Sequence, residues 1–100
     1  MEITIKEQTY KLKYTLRALF IFEEITGKLF NIKTITDEYI FFYCLLLANN
    51  KEMNLTFDDL ISEIDDSPEI MQQYQDYMTL EMKKQKQFNS GEDTDDKKKE

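Results

Sequence analysis

The sequence predicts a mainly α-helical domain with an N-terminal β-hairpin, a small α+β fold in which the hairpin packs on about four helices. Three observations carry that reading: alternation confined to the stretch before Thr15, helical spacing of apolar residues after it, and start or stop signals at each change of element. One hundred residues with 41% hydrophobic and 13% aromatic content suffice for one core and not for two.

Glu2-Ile3-Thr4-Ile5 and Tyr10-Lys11-Leu12-Lys13-Tyr14 alternate, which sets Ile3 and Ile5 on one face of a first strand and Tyr10, Leu12 and Tyr14 on one face of a second. The connecting Lys6-Glu7-Gln8-Thr9 lacks the Asn-Gly or Asp-Gly of a tight primed turn, so the hairpin needs helices against its apolar face. Thr15 then serves as N-cap and Gly27 as the C-terminal stop of a helix over 16–26, with Leu16, Leu19 and Phe20 as its stripe, widened by Ala18, Phe22 and Ile25. A second helix is expected from Thr36 as N-cap to about Asn49, with Ile35 and Ile40 as a hydrophobic staple and Asp37 and Glu38 in the first turn. Because residues 39–48 are apolar all round, this helix belongs at the centre of the core.

Thr56 and Asp59 form a capping-box pattern, Leu55 and Leu60 a staple, and Phe57, Leu60, Ile61 and Ile64 the apolar stripe of a short third helix ending near Asp65-Asp66. Ser67 as N-cap and Pro68 at the first helical position open a fourth helix to about Phe88, striped by Ile70, Met71, Tyr74, Tyr77, Met78 and Met82. Its length, roughly 30 Å, lets the second half project beyond the body. The single domain thus spans 1–88, and 89–100, which contains no apolar residue, reads as a disordered charged tail.

Composition narrows the chemistry. With no histidine and one cysteine, Cys44, the chain has no Ser/His/Asp or Cys/His nucleophile arrangement and no zinc site of thiolates and imidazoles, so no enzyme, cofactor or metal function is expected. Cys44, inside an apolar run, reads as a small core hydrophobe in a reducing compartment. The N-terminus lacks a signal-peptide pattern and the longest apolar run is about half of a membrane span, which points to a cytoplasmic protein without membrane contact.

Net charge is −7, but residues 36–82 carry eleven acidic groups against Lys51 alone, a balance of −10. That field repels phosphates and argues against nucleic acid as a partner. Asp58, Asp59, Glu63, Asp65 and Asp66 lack the alternating ligands and glycine of a calcium loop, and Glu23 and Glu24 lack a Glu-x-x-His partner, so both groups read as solvated faces. The basic clusters Lys83, Lys84, Lys86 and 97–99 read as a helix-end complement and a solvated tail.

The feature that points to a role is the apolar face of the last helix. Met71, Met78 and Met82 beside Tyr74 and Tyr77 make a flexible, polarisable stripe of the kind that accepts varied apolar helices. Ile70, Met71 and Tyr74 are expected in the core, leaving Met78, Met82 and Phe88, with Tyr77, as candidate partner-binding residues.

Several segments resemble the tail assembly chaperones of long-tailed bacteriophages: Met1-Glu2-Ile3-Thr4-Ile5, Tyr10-Lys11-Leu12-Lys13-Tyr14, Leu16-Arg17-Ala18-Leu19-Phe20 and Glu23-Glu24-Ile25-Thr26-Gly27-Lys28, and more loosely the apolar helix 39–48 and Leu55-Thr56-Phe57-Asp58-Asp59-Leu60-Ile61. The resemblance covers residues 1 to about 64 and includes no catalytic signature. It implies a non-enzymatic phage or prophage protein of the bacterial host cytosol that coats the apolar, helical tape measure protein and hands it to tail tube subunits during tail morphogenesis. It also implies a longer product by ribosomal slippage, and Lys97-Lys98-Lys99 is a stretch that a run of adenines could encode. Two other classes compete with it. One is an acidic inhibitor or adaptor imitating nucleic-acid phosphates, which requires carboxylates along one exposed face. The other is a homo-oligomeric structural subunit.

Overall fold

A computed structural model describes the backbone of residues 1–93 and the side chains of residues 1–84. The element order is β1 (Glu2–Ile5), β2 (Gln8–Lys11), α1 (Leu16–Thr26), α2 (Ile35–Asn49), α3 (Phe57–Asp66) and α4 (Glu69–Asp93). This is the predicted small α+β architecture, a hairpin followed by four helices.

β1 and β2 pair antiparallel with Ile3 opposite Tyr10 and Ile5 opposite Gln8. The loop is therefore only Lys6-Glu7, both with positive φ (56° and 67°), the backbone signature of a type I′ turn. That tight turn starts β2 two residues before the expected Tyr10. Side-chain parity is unaffected, so Ile3, Ile5, Tyr10 and Leu12 are all buried on one face. Beyond β2 the chain is held by the end of α2. The Asn50 side-chain amide donates to the Lys11 carbonyl at 2.9 Å and its Oδ1 accepts from the Lys11 N–H at 2.9 Å, standing in for a third strand, while Asn49 donates to the Lys13 carbonyl at 2.9 Å.

α1 has the expected caps. Thr15 accepts from the Ala18 N–H at 3.2 Å, and Gly27, at φ 72°, donates to the Glu23 carbonyl at 2.8 Å. Its buried face is not the expected one. Ala18 and Phe22 face the core, whereas Leu16 and Phe20 are 64% and 57% exposed. Seven of the eleven residues are apolar, so local pattern leaves the orientation open, and packing against α2 selects the face with Ala18.

The start of α2 is also corrected. Its N-cap is Thr34, which accepts from the Asp37 N–H at 3.0 Å while Asp37 accepts from the Thr34 N–H at 3.3 Å, a reciprocal box that Thr36 cannot form because Tyr39 lies three residues beyond it. Ile35 becomes the first helical residue and, at 78% exposed, makes no staple. Phe41, Phe42, Cys44, Leu45 and Leu46 are fully buried, with α1, α3 and β2 packed around them. Burial pushes the Cys44 thiol up to about 12, so it stays protonated and unreactive.

α3 begins with the predicted box, Thr56 accepting from the Asp59 N–H at 3.0 Å, and Leu55 and Leu60 are both buried as a staple. α4 contributes Ile70, Met71 and Tyr74 to the core, with Tyr74 stacked on Phe42 at 4.6 Å. Its helix runs to Asp93, five residues past the expected limit at Phe88. The remainder of the expected tail, 94–100, lies outside the described residues. Among the described residues, no helix is long and apolar enough to cross a membrane.

Candidate partner-binding groove

The connection between α1 and α2 carries Phe30 and Ile32 back onto the core, Phe30 meeting Phe22 at 5.3 Å and Phe41 at 4.7 Å between ring centroids. Asp37 holds this segment in place. It is only 4% exposed, yet its carboxylate accepts from Lys28 Nζ at 3.0 Å, the Lys33 N–H at 3.1 Å and the Thr34 N–H. The hydrogen bond from Lys28 leads the interactions that hold its carboxyl below the usual carboxylate range. This is the only ion pair among the described residues.

With the connection fixed, Ile32 faces α4 across a groove of about 730 Å³. Met78 and Met82 line its α4 wall, and Glu38 and Tyr74 its floor. The Tyr74 hydroxyl donates to Glu38 Oε2 at 2.9 Å. Burial, and then the neighbouring carboxylate, raises the Tyr74 phenol, so it remains a proton donor and fixes Glu38 at the α2 edge. A second hollow of about 460 Å³ shares Ile32 and Glu38 and adds Ile35, Tyr39 and Met71. A third, of about 270 Å³, shares Ile35 and Tyr39 and reaches Phe57 and Ile61 on α3. The three adjoin through shared residues, from α4 over the start of α2 to α3; apolar side chains line each of them, joined at the α4 end by Glu38, Gln72, Gln75, Asp76, Thr79 and Lys83.

Of the residues proposed from sequence, Met78 and Met82 are brought together. Met78 is half-buried against the core and Met82 is 42% exposed. Tyr77 points elsewhere: its hydroxyl accepts from the Tyr14 N–H at 3.0 Å, tying α4 to the end of the hairpin. The side chain of Phe88 lies outside those described. Sequence reading missed Ile32, Ile35, Tyr39, Phe57 and Ile61. Ile32 sits in a connection with no periodicity and Ile35 has the spacing of a staple with Ile40, so no local signal in the sequence marks either as part of a site.

The groove and its adjoining hollows offer apolar area and hydrogen-bond acceptors but no reactive constellation. Among the described residues no three His, Cys, Asp or Glu side chains converge as metal ligands. Of the eleven acidic groups between 36 and 82, Asp37, Glu38 and Asp59 accept hydrogen bonds from Lys28, Tyr74 and the Thr56 N–H respectively. Compared with known proteins, the chain matches no family model, no curated protein and no solved structure.

Proposed function

We propose that the chain is a non-enzymatic binding protein that holds an apolar, helical partner, acting as a tail assembly chaperone for the tape measure protein of a long-tailed phage or prophage in the bacterial cytosol. The observation that carries this reading is the groove in which Met78 and Met82 of α4 face Ile32, with adjoining hollows that add Ile35, Tyr39, Phe57 and Ile61. Methionine and tyrosine adapt to different apolar helices, and burying such a helix contributes about 25 cal/mol per Å² of apolar area. The surrounding acidic surface keeps a complex with an apolar partner soluble.

The test is co-purification with the long helical protein encoded downstream of this gene. Met78→Gln with Met82→Gln keeps helix propensity and should abolish capture with the fold intact, whereas Asp58→Asn with Glu63→Gln should leave capture unchanged. Capture should also persist in high salt, because apolar burial is not screened. If the carboxylate pair abolishes capture and the methionine pair does not, the acidic-inhibitor class replaces this reading. A gene neighbourhood without such a downstream reading frame overturns the tape measure assignment.

A further inference from the structure

α1 presents a second apolar surface, on the opposite side of the helix from Ala18 and Phe22. Leu16 and Phe20 are one turn apart and 64% and 57% exposed. Arg17 and Glu24 are both exposed on one flank of this pair. Seven residues apart, they lie within about 20° of each other around the axis and about 10 Å apart along it. Phe20 sits midway between them. Neither is in an ion pair among the described residues, where Lys28 and Asp37 form the only one.

Opposite charges placed at equal distances on either side of an apolar centre, on one flank of one helix, are complementary to their own antiparallel copy. A two-fold axis beside Phe20 reverses the helix direction while keeping the flank, so each Arg17 meets the Glu24 of the second copy and the two Phe20 rings meet at the axis. A parallel two-fold would instead carry this flank to the far side of the seam, where Arg17 and Glu24 meet neither each other nor their own copies. We propose that α1 is the interface of a two-fold homodimer of this chain, with Phe20 at its centre and two Arg17–Glu24 ion pairs closing it. The proposal does not depend on what occupies the groove between α2 and α4, which lies on other elements.

One pair of short helices buries less than roughly 1,200 Å², so the dimer should be weak, with dissociation in the ~100 µM range. Sedimentation equilibrium of the full chain at low salt should then show a monomer–dimer equilibrium. Phe20→Asp should leave a monomer with unchanged circular dichroism, since Phe20 is exposed in the monomer. Arg17→Glu and Glu24→Arg should each weaken dimerisation roughly tenfold, because each creates two like-charge contacts. The double variant, Arg17→Glu with Glu24→Arg, should recover dimerisation to within about threefold of the parent, since the charge pattern is then reversed but still self-complementary. A chain that remains monomeric at millimolar concentration overturns the proposal. So does dimerisation that survives Phe20→Asp, that the double variant fails to restore, or that is lost in Met78→Gln with Met82→Gln and not in the α1 variants.

Discussion

α2 and the stretch of α4 from Tyr74 to Met82 both carry large apolar side chains, yet they have opposite fates. Phe41, Phe42, Leu45 and Leu46 are completely buried, while on α4 burial fades after Tyr74: Met78 is half-buried, Leu80 is 62% exposed and Met82 42% exposed. The cause is what surrounds each helix. α1, α3 and β2 pack around α2, whereas α4 meets β1, α3 and, through Tyr74, α2 near its start, and among the described residues no further element covers it after Met78. Apolar content alone therefore does not separate core from surface. The number of neighbouring elements does.

The sharpest way to break this contrast is at the centre. Phe42→Asp places an unpaired charge in a completely buried apolar site and should unfold the chain, because the cost of several kcal/mol is comparable to a total stability of roughly 5–15 kcal/mol. The expected result is loss of a cooperative urea transition by circular dichroism. Next comes the anchor of the α1–α2 connection. Asp37→Asn should lower the urea midpoint at pH 7 and loosen the groove wall carrying Ile32. Because the folded-state carboxyl lies below the ordinary 3.8, its contribution is present above that value and disappears as pH falls from there toward the lowered one. Parent and variant midpoints should accordingly converge in acid.

A smaller effect is expected where the two helices meet. Tyr74→Phe keeps the stack on Phe42 but removes the donor to Glu38, which water can then reach from the groove. The cost should be about 1 kcal/mol, read as a shifted urea midpoint at unchanged slope. The smallest effect belongs to the open end: Met82→Gln should change stability by less than about 0.5 kcal/mol. A loss as large as that of Tyr74→Phe would mean that this half of α4 is core after all.

Much of this organisation was legible in the sequence because its signals are local. The Thr56/Asp59 box, Gly27 as a stop and the all-apolar run 39–48 each need only a few neighbouring residues. The same device at Thr34 and Asp37 was read two residues late because Thr36 also precedes acidic residues. The face of α1 was not legible, since Leu16 and Phe20 are as apolar as Ala18 and Phe22 and only α2 distinguishes them. For the candidate site, Met78 and Met82 were visible as a stripe. The opposite wall was not, because Ile32 reaches it from an irregular segment whose path depends on the Asp37 carboxylate.

The Lys6-Glu7 turn bears on the order in which the chain assembles. Both residues hold a left-handed backbone that costs an L-residue roughly 1–2 kcal/mol, which weighs against this hairpin as an early nucleus. It is expected to close late, once the helices present an apolar surface and Asn49 and Asn50 are in place to accept Lys11 and Lys13. Relieving the turn with Lys6→Asn and Glu7→Gly should consequently slow unfolding by about tenfold while leaving the refolding rate nearly unchanged in stopped-flow measurements. The hairpin is the latch of this fold, and its two turn residues set how fast the latch opens.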